Sequence, residues 1–435
     1  MNYKQLSLLA ICVIGAGIAL LRSTSLQSIQ DPIVFLQKYL RINTEQPKPD
    51  YAAAISFFTA QATADGFATQ QVTLRSGLPA LIITYPGIDP ALPALALNQH
   101  MDVVPVGDRS LWTHDPFGGE TDHGIIYGRG TQDMKGVGVV HYYALKEIKD
   151  AGIKLQRTVH LILVPEEEVG GFKGAKLLVE TEQFKKLNIG YALDEGVPSG
   201  KDQILHIKVS ERKPIQIRLT ATGTQGHGSK LRCNNPIHCL TQVLARIEQY
   251  QSNQKGTAPH SEEGRYLSMN ITSLQAGVMK DGKVALNAVP ATATATVDVR
   301  VPQSMTMAEG NALIKTMIGE NQLNDDGIGV SYDVLATIPD QPSPDAKKQE
   351  AFYALLANSI RTQGLKAMPL YFEATTDLRY YQEKEIIGLG FSPFTCQENL
   401  HGTNESVPVV DIQRGIRIMK HFLLNFCTTR PVGSQ

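Results

Sequence analysis

The sequence predicts an α/β fold in which a catalytic domain, a mixed sheet with helices on both faces, carries an inserted smaller α+β domain. Strand-like apolar runs alternate with helical patterns along the chain. Several of these runs end directly in Asp, Glu or His, where open α/β sheets place their ligands. A βαββαβ succession interrupts the alternation. With 435 residues, the chain is long enough for two domains of ordinary size.

The first part of the catalytic domain is expected to span residues 31–213. It opens with helical apolar spacing at residues 33–41, and residues 51–67 contain a further helix. Short apolar runs bounded by turn residues then predict strands. These predicted strands are 71–74, 80–85, 94–98, 159–164 and 191–193.

The inserted domain is expected at residues 214–337. Its predicted strands are 215–221, 267–274, 291–301 and 330–336, and its predicted helices are 235–250 and 307–317. The proline-rich run at residues 338–345 predicts a linker. Residues 338–435 are therefore expected to complete the catalytic domain.

The N-terminal segment, residues 1–30, has a different character. Lys4 precedes an uncharged apolar run at residues 8–21, which is shorter than the roughly 20 residues that cross a bilayer. This pattern is typical of a signal-peptide core or a short signal anchor. It predicts membrane association through residues 8–21 and entry into the secretory pathway, as a secreted or anchored protein. The alternative is a cytoplasmic protein in which this segment packs as a helix on the domain.

Two Asn-X-Ser/Thr sequons would be glycosylation acceptors in the secretory pathway. They begin at Asn270 and Asn404. Asn404 lies three residues from His401, a candidate site residue, so a glycan there would crowd the site. Either Asn404 is unmodified or the protein is cytosolic.

The charge balance excludes one large class of partner. The 41 Lys and Arg residues nearly equal the 42 Asp and Glu residues, so the chain lacks the broad basic field that a phosphate backbone requires. A nucleic-acid partner is therefore not expected. The five cysteines contain no CxxC pair, which argues against a zinc ribbon, a thioredoxin-like site or a dense disulfide framework.

Candidate site residues begin where the strand predicted at residues 94–98 ends. His100 and Asp102 follow it in the run NQHMDVVP, and an imidazole with a nearby carboxylate is a typical metal ligand with its orienting partner. A lone His-X-Asp is more often surface or capping chemistry. Asp133 comes next, in YGRGTQDMKG, where the glycines permit a tight backbone path around the acid.

Three further acidic or histidine clusters complete the set. Glu166, Glu167 and Glu168 follow the strand predicted at 159–164, and adjacent carboxylates repel one another unless cations or solvent relieve them. A solvated loop is the ordinary explanation, but the buried strand before them favours a site in which one Glu binds metal and its neighbour acts as a base. Another short strand ends in Glu195, and His401 lies in LHGTNES.

These motifs together resemble the signature set of the M20 metallopeptidases, a family of hydrolases with two co-catalytic zinc ions. The quoted motifs occur in the family's order, and the resemblance covers roughly residues 32–425. It implies two Zn²⁺ per chain, one held by His100, Asp133 and Glu195 and the other by Asp133, Glu168 and His401. It also implies that Glu167 is the general base and that Asp102 orients His100.

The resemblance extends to the inserted domain, which in this family forms a lid and a dimer interface. In the predicted homodimer, His227 would reach the partner subunit's site and stabilise the oxyanion. Without the family motif, His227 would be assigned as an ordinary loop histidine. Four further positions match family residues that hold substrate: Asn287, Arg300, Thr376 and Gly402. Arg300 would offer a bidentate match to an α-carboxylate.

The function implied is zinc-dependent hydrolysis of small-molecule N-acyl-L-amino acids to a carboxylate and a free L-amino acid. A dipeptidase or carboxypeptidase of the same family is the first alternative, because a peptide bond also joins an acyl group to an amino acid. A second alternative is a metal-free binding ectodomain built on a peptidase fold.

Overall fold

The computed structural model describes residues 28–200, 203–231, 235–255, 260–319, 329–340, 342, 344–395 and 399–428. The predicted targeting segment, including residues 8–21, therefore lies almost entirely outside the described residues. Among the described helices, none combines the length and apolarity needed to cross a membrane.

The strands, in chain order, are β1 Ala68–Thr73, β2 Pro79–Tyr85, β3 Ala94–His100, β4 Glu120–Asp122, β5 Ile125–Tyr127, β6 Val159–Val164, β7 Ile189–Asp194, β8 Ile204–Glu211, β9 Lys213–Thr222, β10 Gly226–His227, β11 Ser268–Ala276, β12 Met279–Lys280, β13 Lys283–Val284, β14 Ala288–Val289, β15 Thr292–Val301, β16 Val330–Thr337, β17 Lys366–Phe372, β18 Ile387–Phe391 and β19 Ser406–Pro408.

The α-helices are α1 Pro32–Leu40, α2 Tyr51–Ala64, α3 Lys135–Asp150, α4 Ala175–Leu178, α5 Glu182–Lys185, α6 Pro236–Lys255, α7 Met307–Ile318, α8 Ala346–Arg361, α9 Leu378–Gln382 and α10 Val409–Thr428. Short 3₁₀ turns lie at Arg109–Leu111, Glu167–Val169 and His260–Arg265.

The chain divides into two compact units, Met1–Ile189 with Cys396–Gln435, and Gly190–Thr395. In the first unit the strands lie in the order β1-β2-β6-β3. β1, β2 and β6 pair antiparallel, whereas β3 and β6 pair parallel. Both β3 and β6 are buried along their whole length, so this pair forms the centre of the unit's core.

The parallel pairing of β3 and β6 positions the site. In its register, His100 lies beside Val164, the last residue of β6. The carboxyl ends of the two strands therefore meet at one edge, and the segments that follow them start side by side. Helix α3 packs against β3 and α10, and it begins two residues after Asp133.

The second unit contains two four-strand arrays and two short ribbons, β10-β14 and β12-β13. One array has the order β7-β18-β8-β17, with β7/β18 and β8/β17 parallel and β18/β8 antiparallel. The other is the antiparallel sheet β11-β15-β9-β16, which packs against α6 and shares one hydrophobic cluster with α6 and α7. Strand β15 alternates strictly between buried and less buried residues, as expected for a strand with one face on the core.

The mixed sheets with their helices confirm the predicted fold class. The elements β9, α6, β11, β15, α7 and β16 follow the predicted βαββαβ order, and the short strands β10, β12, β13 and β14 are additions to it. The predicted inserted segment, 214–337, lies within the second unit, whose bounds are wider. The predicted boundaries at 213/214 and 337/338 stay a prediction.

Candidate metal centre

The Asp133 carboxylate lies between two imidazole rings of the first unit. Its Oδ1 is 2.9 Å from His100 Nε2, and its Oδ2 is 3.0 Å from His401 Nε2. Glu168 extends the group, since its Oε2 lies 3.7 Å from His401 Nε2. Ligand atoms of Asp133, Glu168 and His401 all lie within 4.8 Å of one another. The structure thus brings four of the five predicted metal ligands together in one unit.

The electrostatics of this group follow from its hydrogen bonds. Burial raises the pKa of Asp133, but hydrogen bonds from His100 and His401 outweigh it and hold the pKa well below its usual range. The hydrogen bond between Asp133 and His401 also raises the pKa of His401, and it outweighs burial, which lowers that pKa. The carboxylate is therefore ionised at neutral pH, as a metal ligand must be.

The donor chemistry of these residues fits zinc. Imidazole nitrogens and carboxylate oxygens without a thiolate are the donors typical of hydrolytic zinc sites. One carboxylate with a ring nitrogen on each of its two oxygens also has the arrangement needed to share its oxygens between two cations. His401 remains about half exposed, with 51% of its side chain accessible, so the group is open to solvent on that side.

The loop before α3 requires its glycines. Gly130 has φ +91°, and a Cβ there would lie 2.9 Å from Val103 Cγ1 and 3.2 Å from Lys135 Cδ. Gly128 has φ +155°. A larger residue at Gly130 would displace the loop that carries Asp133, which explains the glycines around this acid in the sequence.

The triple glutamate lies in a tight turn after β6. Glu166 has φ +73°, in the left-handed region, and Glu167 and Glu168 begin the 3₁₀ turn. The backbone N–H groups of Glu167 and Glu168 donate to the two carboxylate oxygens of Asp102, each over 3.2 Å. Gln46 Nε2 also donates to Asp102, over 2.8 Å. Asp102 therefore fixes the start of the turn that carries the predicted base and ligand.

The contact between Asp102 and His100 differs in detail from the predicted one. His100 Nδ1 lies 2.9 Å from the backbone carbonyl oxygen of Asp102, whereas the nearest carboxylate oxygen is 3.9 Å away. The ring is thus oriented by the backbone of Asp102. The carboxylate instead orients the glutamate turn, a role that the sequence did not predict.

Glu195, the remaining predicted ligand, belongs to the second unit. It follows directly after β7 and is buried, as is Asp194 before it. The positive charge of Lys208 offsets the negative charge of these two buried carboxylates. Burial lowers the pKa of Lys208, but Glu211, Asp194 and Glu195 outweigh that effect and raise it, so the ammonium group stays charged.

Thr376 contacts the buried charged cluster formed by Lys208, Glu211 and Asp194. Its hydroxyl accepts from Lys208 Nζ over 2.7 Å and lies 2.5 Å from Glu211 Oε1 and 3.0 Å from Asp194 Oδ2. The backbone N–H of Leu378 also donates to it, over 3.3 Å. A hydroxyl offers one donor and two acceptor positions, so these partners use its full capacity. The predicted contact of Thr376 with substrate stays a prediction.

The structure brings His227 and Asn287 together in the second unit. His227 lies on β10, opposite Ala288 of β14, and Gly228 N donates to the Asn287 carbonyl over 2.7 Å. His227 is exposed, and its Nδ1 lies 2.7 Å from Ser229 Oγ. A histidine on an exposed two-strand ribbon is accessible to a second molecule.

The other two predicted substrate residues are placed separately. Arg300, on β15, donates through Nε to Asp298 Oδ2 over 2.8 Å and is one-quarter exposed. Gly402, in the first unit, follows His401 and donates its N–H to the Asn399 carbonyl. The binding of substrate by Arg300 and Gly402 stays a prediction.

The sequons differ in their surroundings. Asn404 Oδ1 accepts from the N–H and the hydroxyl of Thr113, over 2.8 and 3.0 Å. Asn270 is exposed on β11. Of the cysteines, Cys239 and Cys427 are buried, and Cys12, Cys233 and Cys396 lie outside the described residues.

Sequence reasoning missed three charged residues that surround this centre. Arg129 and Glu405 form a buried ion pair of 2.7 Å. Lys135 is buried, and its Nζ donates to the carbonyls of Tyr39 and Ile42 over 3.3 and 2.7 Å. Burial lowers the pKa of Lys135 to about 7. All three residues lie inside the motifs YGRGTQDMKG and LHGTNES. Their position within these motifs is the sequence signal that could have identified them.

Comparison with known proteins defines the class to which this fold and site belong. The chain belongs to peptidase family M20/M25/M40, whose model matches residues 96–425. It is 34% identical over 397 residues to aminoacylase-1 of Mus musculus, covering 90% of this chain and 94% of that protein, and equally so to aminoacylase-1 of Homo sapiens. The family membership makes the chain a hydrolase of a metal-dependent family.

Solved structures agree with the fold. The metallo-carboxypeptidase Sso-CP2 of Sulfolobus solfataricus superposes with a TM-score of 0.68 at 17% identity, covering 91% of this chain and 99% of that one.

Proposed function

We propose that this enzyme hydrolyses N-acyl-L-amino acids to a carboxylate and a free L-amino acid. The observation that carries the proposal is the Asp133 carboxylate between His100 and His401, with Glu168 beside it and Glu167 next in the chain. The 34% identity to aminoacylase-1 over 94% of the mouse protein supports the substrate class.

The proposed centre holds two Zn²⁺ per chain. His100, Asp133 and Glu195 would hold one ion, and Asp133, Glu168 and His401 the other. Three carboxylates bring a charge of −3 against +4 from two zinc ions, so one hydroxide would complete neutrality. When bound, zinc polarises the substrate carbonyl and makes water a better nucleophile.

The chain's own residues supply the remaining chemistry. Glu167 would take the proton from the attacking water and pass it to the leaving amine. Its backbone N–H is bound by Asp102, so the base starts from a defined position. His227 of the partner subunit would stabilise the oxyanion, and Arg300 would bind the α-carboxylate.

The other substrate contacts and the assembly complete the proposal. Asn287, Thr376 and Gly402 would contact the substrate, and the enzyme would act as a homodimer, which the exposure of His227 on its ribbon supports. Targeting through residues 8–21 rests on the sequence pattern alone.

A dipeptidase or carboxypeptidase activity is the second candidate, which the likeness to Sso-CP2 favours. Hydrolysis of N-acetyl-L-methionine and of L-alanyl-L-methionine separates the two, because both release methionine and differ in the blocked or free amine of the acyl side. We expect kcat/KM to be higher for N-acetyl-L-methionine. Preference for the dipeptide would overturn the proposed substrate class and leave the hydrolase assignment intact.

A further inference from the structure

Arg129 and Glu405 form a buried junction between three segments of the first unit. Their side chains are 2% and 0% exposed, and Arg129 Nη1 donates to Glu405 Oε2 over 2.7 Å. Arg129 Nη2 donates to the carbonyls of Pro105 and His401, over 3.3 and 3.2 Å. The guanidinium carbon lies 5.3 Å from the centre of the Trp112 ring. One planar cation thus contacts the loop after β3 and the loop of His401.

Glu405 contacts the third segment, the loop that carries Asp133. Its carboxylate accepts the backbone N–H groups of Gly130, over 3.1 and 3.0 Å, and Gln132, over 2.8 Å. The N–H of Asp133 itself points to the same Oε1, over 3.4 Å. The carboxylate therefore holds the backbone immediately before Asp133, and its charge strengthens each of these bonds.

We propose that the Arg129–Glu405 pair positions the metal centre, by holding the Asp133 loop and the His401 backbone at the separation needed for both side chains to share cations. This inference rests on the proposed zinc centre. Both side chains are buried and act on the centre through the backbone of the loops that they contact, so both are positioning residues.

The backbone conformation of His401 requires stabilisation of the kind that Arg129 provides. Its φ of +58° lies in the left-handed region, which residues with a Cβ rarely occupy. The Arg129 bond to the His401 carbonyl holds this conformation. A packing role alone would need neither charge, because a buried ion pair is often no more stabilising than apolar residues of similar volume.

The test measures metal binding directly, besides activity. Glu405→Gln keeps the shape and removes the charge, whereas Arg129→Lys keeps the charge and removes the planar fork. Zinc affinity is measured by competition with a chelator, and Co²⁺ absorption in the visible range reports ligand geometry. We expect Glu405→Gln to weaken zinc binding roughly 10–100-fold and to alter the Co²⁺ spectrum, with a smaller loss in Arg129→Lys.

The matched control is a second buried ion pair of the same unit, Lys146 with Asp65, which lies 3.4 Å apart at 5% and 2% exposure. Asp65→Asn should lower the melting temperature while leaving zinc affinity and the Co²⁺ spectrum unchanged. Wild-type zinc affinity and spectrum in folded Glu405→Gln would overturn the inference. If Glu405→Gln does not fold, wild-type zinc affinity and a wild-type Co²⁺ spectrum in folded Arg129→Lys would overturn the inference. A wild-type protein that binds neither metal would instead remove the proposed zinc centre.

Discussion

His401 Nε2 lies 3.0 Å from Asp133 Oδ2, although the two residues are 268 positions apart in the chain. The other oxygen of the same carboxylate is 2.9 Å from His100. Both rings therefore occupy the directions from which cations would approach. In the proposed zinc centre, Asp133, His100 and His401 would all hold metal.

Removal of metal is the first test. Dialysis against a chelator should abolish hydrolysis of N-acetyl-L-methionine, and added Zn²⁺ should restore it with about two ions bound per chain. The melting temperature should also fall on chelation, because an ion that binds only the folded state stabilises it. Full activity in a preparation shown by elemental analysis to hold no transition metal would defeat the metal assignment.

The triple glutamate allows base and ligand to be separated. Glu167→Gln is nearly isosteric but cannot accept the water proton, so kcat should fall on the order of 10²–10⁴-fold while zinc is retained. Glu168→Gln should instead weaken zinc binding, since Glu168 lies beside His401. Zinc content measured on both variants decides the matter, and the reverse pattern would exchange the two roles.

Substitution of His227 tests the proposal that each active site is shared between two subunits. His227→Ala should lose roughly 10²-fold in kcat and keep its metals, because in the proposed mechanism the side chain would act on the developing oxyanion. Ser229→Ala is the matched control, since it removes the hydroxyl that lies 2.7 Å from His227 Nδ1 and retains the imidazole itself.

Subunit exchange sharpens this test. If the site is shared as proposed, a heterodimer of His227→Ala and Glu167→Gln chains would contain one site with an intact Glu167 and an intact partner histidine, and one with both defects. Mixing the two variants should therefore recover part of the activity. If heterodimers form and remain inactive, His227 acts within its own chain or supports structure only.

Lys208 should be essential to the stability of its cluster. Lys208→Met leaves Glu211 and Asp194 buried without their cation, which should lower the free energy of unfolding by about 3–5 kcal/mol. Lys185→Met is the control, because Lys185 pairs with Glu182 on the surface and its loss should cost under about 1 kcal/mol. Chemical denaturation of both variants measures this difference, and equal losses would contradict it.

His141 should make stability depend on pH. Both ring nitrogens are buried without a hydrogen-bond partner among the described residues, and burial lowers the pKa from 6.5 to about 3. Between these values the unfolded chain binds a proton that the folded one does not. Stability should therefore fall as pH drops from about 6.5 to 3, by up to about 1.4 kcal/mol per unit from this group.

Substitution isolates that contribution. His141→Leu should flatten the dependence of unfolding free energy on pH across this window. An unaltered slope in His141→Leu would show that other groups set the acid sensitivity.

The sequence was most informative where a strand ends. β6 has the predicted bounds, and His100 ends β3 at the edge where the glutamate turn begins, because apolar runs reveal buried strands and their carboxyl ends meet. The sequence could not show that Arg129 contacts Glu405, since nothing local links residues 276 positions apart. Thr376 shows a second limit, because the motif identifies the residue and only the structure reveals the partners of its hydroxyl.

The long separation between Arg129 and Glu405 also affects how the protein matures during synthesis. The loop of Asp133 is translated before the groups that hold it, since His401 lies 268 positions further along the chain and Glu405 follows it. Until then this loop lacks the contacts that order it, because closing so long a loop must precede the contacts that compensate for it. The proposed metal centre would therefore form only after residues 401–405 are translated, and a chain truncated before residue 401 would keep His100 and Asp133 but lack His401 and Glu405.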